Sequence, residues 1–161
     1  MENEEKKRLY EDLLTMLRGY LKSEYKPEQL TVFSHLTNLL SSSFPYMDWV
    51  GFYLKKEGED TLFLGPYLGS PGCDLIPFSK GVCGKAAREL STQFVADVTK
   101  IEYHIACSST TQSEIVVPLY SGKSSLVGVL DIDADQKDVL TKTDEEYLKS
   151  ICYLLMKIID K

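Results

Sequence analysis

The 161 residues include 43% hydrophobic side chains, enough to bury one core without cross-links, so a single domain over residues 1–161 is expected. A net charge of -6, with 18 basic residues scattered among acidic ones, argues against a nucleic-acid surface, and no apolar run reaches the roughly 18 residues of a membrane span. The charged start Met1–Arg8 lacks the character of an export signal, which points to the cytoplasm, where cysteines serve catalysis, redox sensing or metal more often than staples.

Leu9, Leu13, Met16, Leu17 and Tyr20 recur at helical spacing among charged residues and predict an amphipathic helix over 3–23. Pro27 suits the first position of a second helix, with Leu30, Phe33, Leu36, Leu39 and Leu40 on its apolar face and Ser41 to Pro45 as its end. These two helices are expected to pack together. The runs Trp49–Leu54 and Thr61–Tyr67 read as strands joined by the polar turn Lys55–Asp60.

After Gly81, the small residues Ala86 and Ala87 lead into a short helix. Glu114–Tyr120 and Ser125–Asp133 read as two further strands, linked by Ser121-Gly122-Lys123. Thr143 and Glu146 stand in capping-box spacing before the stripe Leu148, Ile151, Leu155 and Ile158, which predicts a closing helix. The fold class is therefore α+β, an antiparallel sheet covered by helices on one face.

Cys73 lies among turn formers and should be accessible. Cys83, between Val82 and Gly84 at the start of the short helix, admits two readings: a thiolate stabilised by helix amides and dipole, or a small buried hydrophobe. Cys107 is expected on a loop, where a protonated His104 could lower its thiol pKa. Cys152, amid Ile151, Leu154 and Leu155, reads as core packing.

Four cysteines and two histidines raise the question of zinc, but intervals of ten and 24 residues between loop cysteines supply no close ligand pair, and no metal is expected. Strand alternation sends Asp131 and Asp133 to one face and Leu130 and Ile132 to the other, so the aspartates could grip a cation or simply lead into a turn. Glu114 opens an apolar strand. Trp49 and Tyr53 share a strand face and, taken alone, read as core aromatics.

Together these residues resemble the free methionine-(R)-sulfoxide reductases, a GAF-domain family. The likeness rests on Trp49-Val50-Gly51-Phe52-Tyr53, Gly65-Pro66, Cys73, Gly81-Val82-Cys83-Gly84, Asp97-Val98, His104-Ile105-Ala106-Cys107, Ser113–Leu119 and Gly128–Asp133, in that order. It implies a GAF-like antiparallel sheet with terminal helices on one face and a loop-covered pocket on the other.

The resemblance further implies that Cys107 attacks the sulfoxide sulfur and becomes a sulfenic acid, which Cys73 resolves as a disulfide. A thioredoxin-type or other dithiol then reduces the disulfide, with no bound cofactor. Cys83 takes a secondary role in substrate contact or as an alternative resolving thiol. Asp131 and Asp133 match the family's ammonium-binding acids, Glu114 its residue at the sulfoxide oxygen and a candidate proton donor, and Trp49 and Tyr53 its aromatic wall. Ser108, where the family often has an acid, and the loop 99–103 depart from the pattern. The alternative is a non-catalytic GAF sensor of a small molecule or redox state. A homodimer through the Leu-rich segment 30–40 is compatible with either.

Overall fold

The computed structural model describes residues 1–105, 107–122 and 125–161. Ala106 of the His104–Cys107 motif and Lys123 of the expected strand link lie outside them. The chain begins with helices α1 (Asn3–Lys22) and α2 (Gln29–Ser43), then strands β1 (Trp49–Lys55), β2 (Thr61–Leu68) and β3 (Leu75–Pro77). Helix α3 (Gly81–Glu89), β4 (Gln93–Val95), a 3-10 helix (Val98–Lys100), β5 (Ser113–Tyr120), β6 (Leu126–Ala134) and α4 (Lys142–Ile159) complete it. The strands form one sheet in the order β3-β2-β1-β6-β5-β4, with every neighbouring pair antiparallel.

Alternation along the central strands divides the interior into two apolar layers. On one face Val50, Phe52, Ile115, Val117, Leu130 and Ile132 pack against α1, α2 and α4. On the other, Trp49, Tyr53, Val116 and Val129 meet α3 through Val82, Cys83, Ala86 and Ala87. Gly128 sits where β6 crosses β1, and a Cβ there would fall on the Tyr53 carbonyl and the Leu54 backbone, so glycine lets the two strands pair closely.

The terminal helices depart from expectation in their partners. Helix α1 packs against α4, while α2 lies across β1 and β2, so the expected pairing of the first two helices gives way to pairing of the first with the last. Pro27 precedes the N-cap residue Glu28 rather than occupying the first turn. Leu30 is 67% exposed because α2 turns Val32, Phe33, Leu36 and Leu40 inward, which leaves little of the 30–40 segment as a free apolar face.

The capping box of α4 is Thr141–Asp144, two residues before the expected Thr143–Glu146. Asp144 accepts from the Thr141 backbone N–H at 2.8 Å, and also from Lys6 Nζ, Tyr10 Oη and Tyr46 Oη at 2.7 Å each. It is fully buried. Those distant partners decide which acid turns inward, and Thr143 instead donates to Asn3 Oδ1 at 2.9 Å.

Candidate active site

β1, β6 and β5 lie side by side, and their register assembles the site. Trp49 pairs with Asp133, which pairs with Glu114; one row along, Gly51 pairs with Asp131, which pairs with Val116. Residues in these rows point to the face opposite the three long helices. Asp131 and Asp133 are thus both strand residues on the pocket side, as their alternation predicts, and β6 continues through Ala134 before the turn begins.

Trp49 forms the wall. Its ring stacks between Tyr53 at 5.7 Å and Tyr67 at 5.4 Å, and its Nε1 donates to the Ser70 carbonyl at 2.9 Å, which fixes the indole plane. Gly51 makes room for that stack, since a Cβ there would come within 2.8 Å of the indole and 2.5 Å of Tyr67 Cβ.

Two loops roof the pocket, one between β2 and β3 and the other running from the 3-10 helix to β5. Cys73 on the first and Cys107 on the second are joined by a disulfide, with Cα atoms 5.3 Å apart and a sequence separation of 34. Ser70 and Ser108 add a hydroxyl contact of 3.4 Å across the same seam, so Ser108 helps to hold the loops together. In the 99–103 loop, Tyr103 is held to α3 by Lys85, whose ammonium lies 4.7 Å from the ring centroid. Cys73 is half-buried, less accessible than its turn-rich sequence suggests. Beneath this roof the cavity is about 20 Å³, room for one water-sized occupant.

Cys83 lies at the pocket floor, on the first turn of α3, and is buried as a free thiol. Gly81 starts that helix at φ +70°, where any Cβ would also meet Ile105 at 3.0 Å. Burial, then the charges of Asp131, Glu114 and Asp133, push the Cys83 thiol up. Of the two readings of Cys83, its surroundings favour the buried thiol: desolvation and three neighbouring acids outweigh the helix dipole.

The acids perturb one another. Burial raises the pKa of Glu114, Asp131 and Asp133, and each is raised further by a neighbouring carboxylate: Asp133 acts on Glu114, Glu114 on Asp131, and Asp131 on Asp133. Asp131 is 4% exposed and Glu114 6%. Oδ1 of Asp131 and Oδ1 of Asp133 have no hydrogen-bond partner among the described residues. Such a cluster gives up its protons less readily than isolated carboxylates and favours a cationic guest.

His104 Nε2 lies 3.5 Å from Glu114 Oε1, and partial burial lowers its pKa. It is therefore mainly neutral and makes a polar contact with Glu114. The protonated form that could lower the Cys107 pKa is thereby disfavoured. Cys152 is buried in the opposite layer, as expected.

A family model described as GAF domain matches residues 22–160. The chain belongs to the GAF domain family. Among its relatives, the Escherichia coli free methionine-R-sulfoxide reductase is 38% identical over 130 residues, 81% of this chain and 77% of that protein. Protein YtsP of Bacillus subtilis is 39% identical over 154 residues, covering 95% of this chain and 92% of its own. The X-ray structure of free methionine-R-sulfoxide reductase from Neisseria meningitidis in complex with its substrate matches at a TM-score of 0.87 and 34% identity, covering 99% of this chain and 92% of that one.

The GAF pocket therefore gathers Trp49, Tyr53, Cys83, Cys107, Glu114, Asp131 and Asp133, with Cys73 tied into its roof by the disulfide. It also brings in His104, Ile76, Ile105 and Thr111 as lining, and Tyr67 behind Trp49. Of these residues, His104 and Ile105 carry a sequence signal through the His104–Cys107 motif and Tyr67 as a strand aromatic, whereas Ile76 and Thr111 carry none.

Proposed function

We propose that this protein reduces free methionine-(R)-sulfoxide to methionine. The observation that carries the reading is the Cys73–Cys107 disulfide lying across a pocket floored by three clustered acids, Glu114 and Asp131 buried and Asp133 half-buried. It is supported by the free methionine-R-sulfoxide reductases among the relatives.

The Cys107 thiol gives up its proton and attacks the sulfoxide sulfur, and protonated Glu114 supplies a proton to the sulfoxide oxygen as it leaves sulfur. The protonated oxygen passes from the substrate sulfur to Cys107 Sγ as the transient sulfur–sulfur bond breaks, so methionine is released, Cys107 becomes a sulfenic acid, and the sulfoxide is reduced by two electrons as Cys107 is oxidised by two. The Cys73 thiol then displaces water from the sulfenic acid and forms the disulfide. A thioredoxin-type or other dithiol protein returns both cysteines to thiols by exchange, becoming a disulfide itself.

Asp131 and Asp133 receive the substrate ammonium, whose charge relieves their mutual repulsion. Trp49 and Tyr53 provide the apolar wall for the side-chain methyl. A free amino acid meets both demands, whereas a peptide-bound residue lacks the ammonium and would carry extra chain into the enclosed site. Cys83, kept as a thiol, packs the floor.

The test supplies purified, reduced protein with free methionine-(R)-sulfoxide or its (S)-epimer and excess dithiothreitol, and quantifies methionine. Production from the (R)-epimer alone, absent in Cys107→Ser, is the expected result. A folded, reduced protein that turns over neither epimer overturns the reading in favour of a binding module.

A further inference from the structure

The floor of the pocket offers a donor set distinct from the one a substrate needs. A sulfur from α3 and carboxylate oxygens from β5 and β6 converge there: Cys83 Sγ, Glu114 and Asp131 each present one ligand atom, all within 4.8 Å of one another. Cys83 Sγ lies 4.0 Å from Glu114 Oε2. Around a four-coordinate zinc ion with bonds of roughly 2.0–2.3 Å, ligand atoms stand about 3.5 Å apart, so closing this triangle requires shifts of about an ångström.

A second observation points the same way. Asp131 is 96% buried, as the complement of its 4% exposure, and its Oδ1 has no hydrogen-bond partner among the described residues while lining the cavity. The cavity, about 20 Å³ under the disulfide roof, suits a single ion better than an amino acid. His104, whose Nε2 is 3.5 Å from Glu114 Oε1, is the nearest imidazole donor to the triangle. Sulfur, carboxylate and imidazole together suit a borderline-soft divalent cation rather than magnesium or calcium.

We propose that Cys83, Glu114 and Asp131 form a binding site for one zinc-type divalent cation, and that cation and amino-acid substrate exclude each other from the pocket. On binding, the Cys83 S–H proton and any protons held by Glu114 and Asp131 pass to solvent, and sulfur coordinates as thiolate beside the two carboxylates, with no change of oxidation state. The exclusion clause rests on the proposed substrate, because Asp131 would serve either the cation or the ammonium. The cation site itself stands without that reading.

The probe is cobalt(II), titrated into the full-length, disulfide-intact protein, where Cys83 and Cys152 are the free thiols. One equivalent should give a thiolate-to-cobalt charge-transfer band. The band should persist in Cys152→Ala and disappear in Cys83→Ser. Asp131→Asn, which retains the thiol and the side-chain shape, should weaken cobalt binding at least about tenfold and decides the matter should Cys83→Ser fail to fold. Absence of the band in the parent protein, or its survival unchanged in Asp131→Asn, overturns the cation site. With reduced protein, free methionine should displace the bound cobalt; simultaneous binding overturns exclusion. A protein that shows the band but reduces no sulfoxide keeps the cation site and loses the reductase reading, and the opposite pair of results does the reverse.

Discussion

Glu114 and Asp133 stand directly opposite one another on β5 and β6, two acids in a cross-strand pair inside a desolvated pocket. Like charges in that position oppose folding. Because burial and the neighbouring acids raise the folded-state pKa of each, folding takes up protons. Their favourable, protonated contribution is full below the unfolded carboxylate value of about 4 and is lost as pH rises toward the raised folded values. Asp131→Asn should therefore gain about 1 kcal/mol on the parent at pH 8 and little at pH 4. Urea unfolding at the two pH values measures this, and an equal effect at both would contradict the coupled-acid account.

The same protonation governs rate. Glu114 can donate to the sulfoxide oxygen only while protonated, so turnover should fall as pH rises through its elevated pKa. Glu114→Gln keeps a hydrogen-bond donor but has no acidic proton to give, and its rate should drop about 100-fold with that alkaline limb removed. A pH–rate profile that keeps the limb in Glu114→Gln would assign the titration to another group.

Cys73 and Cys107 have unequal tasks in the proposed cycle, which separates their variants. Cys107→Ser removes the nucleophile and should yield no methionine. Cys73→Ser leaves attack intact but resolution blocked, so with a protein dithiol as sole reductant it should release about one methionine per chain and stall. Rapid-quench counting of methionine distinguishes the two. Continued turnover in Cys73→Ser at the parent rate would give the resolving role to Cys83, despite its burial.

The site was readable from sequence to the extent that its geometry is local. Trp49 with Tyr53, and Asp131 with Asp133, share a face because strand alternation has a period of two, and both pairs stand as that rule requires. The pairing of Cys73 with Cys107 was available only through family resemblance, since neither turn composition nor spacing selects among three loop cysteines. Strands β3 and β4 escaped notice because three residues carry too little periodicity. The Cys83 environment stays open between two readings in sequence for a related reason: the acids that raise its pKa lie 31 or more residues away and reach it only through the sheet register.

Closure of the pocket predicts an order of events. With the loops joined through Cys73 and Cys107, the cavity of about 20 Å³ is smaller than methionine or its sulfoxide requires, so reduction is expected to precede substrate entry. Trp49, the single tryptophan, lies in the wall and provides a fluorescence reporter. Free methionine should perturb its emission in the reduced protein, with affinity at least about tenfold weaker in the disulfide form. Equal affinity in both forms would show that the roof does not gate the site.

Asp144 tests whether the helical layer depends on one buried ion pair. Its carboxylate carries Lys6 Nζ at 2.7 Å, with both side chains almost wholly buried, and accepts from Tyr10, Tyr46 and the Thr141 backbone as well. These contacts tie α1 to the start of α4 and to the segment before β1. Asp144→Ala strands the Lys6 charge in an apolar layer and removes the helix cap together, so a loss of about 3–5 kcal/mol is expected. Tyr46→Phe deletes one of several donors and should cost about 1 kcal/mol. Because the pocket lies on the opposite face of the sheet, Tyr46→Phe should retain parental KM, and a changed KM with unchanged stability would show that the two layers are coupled.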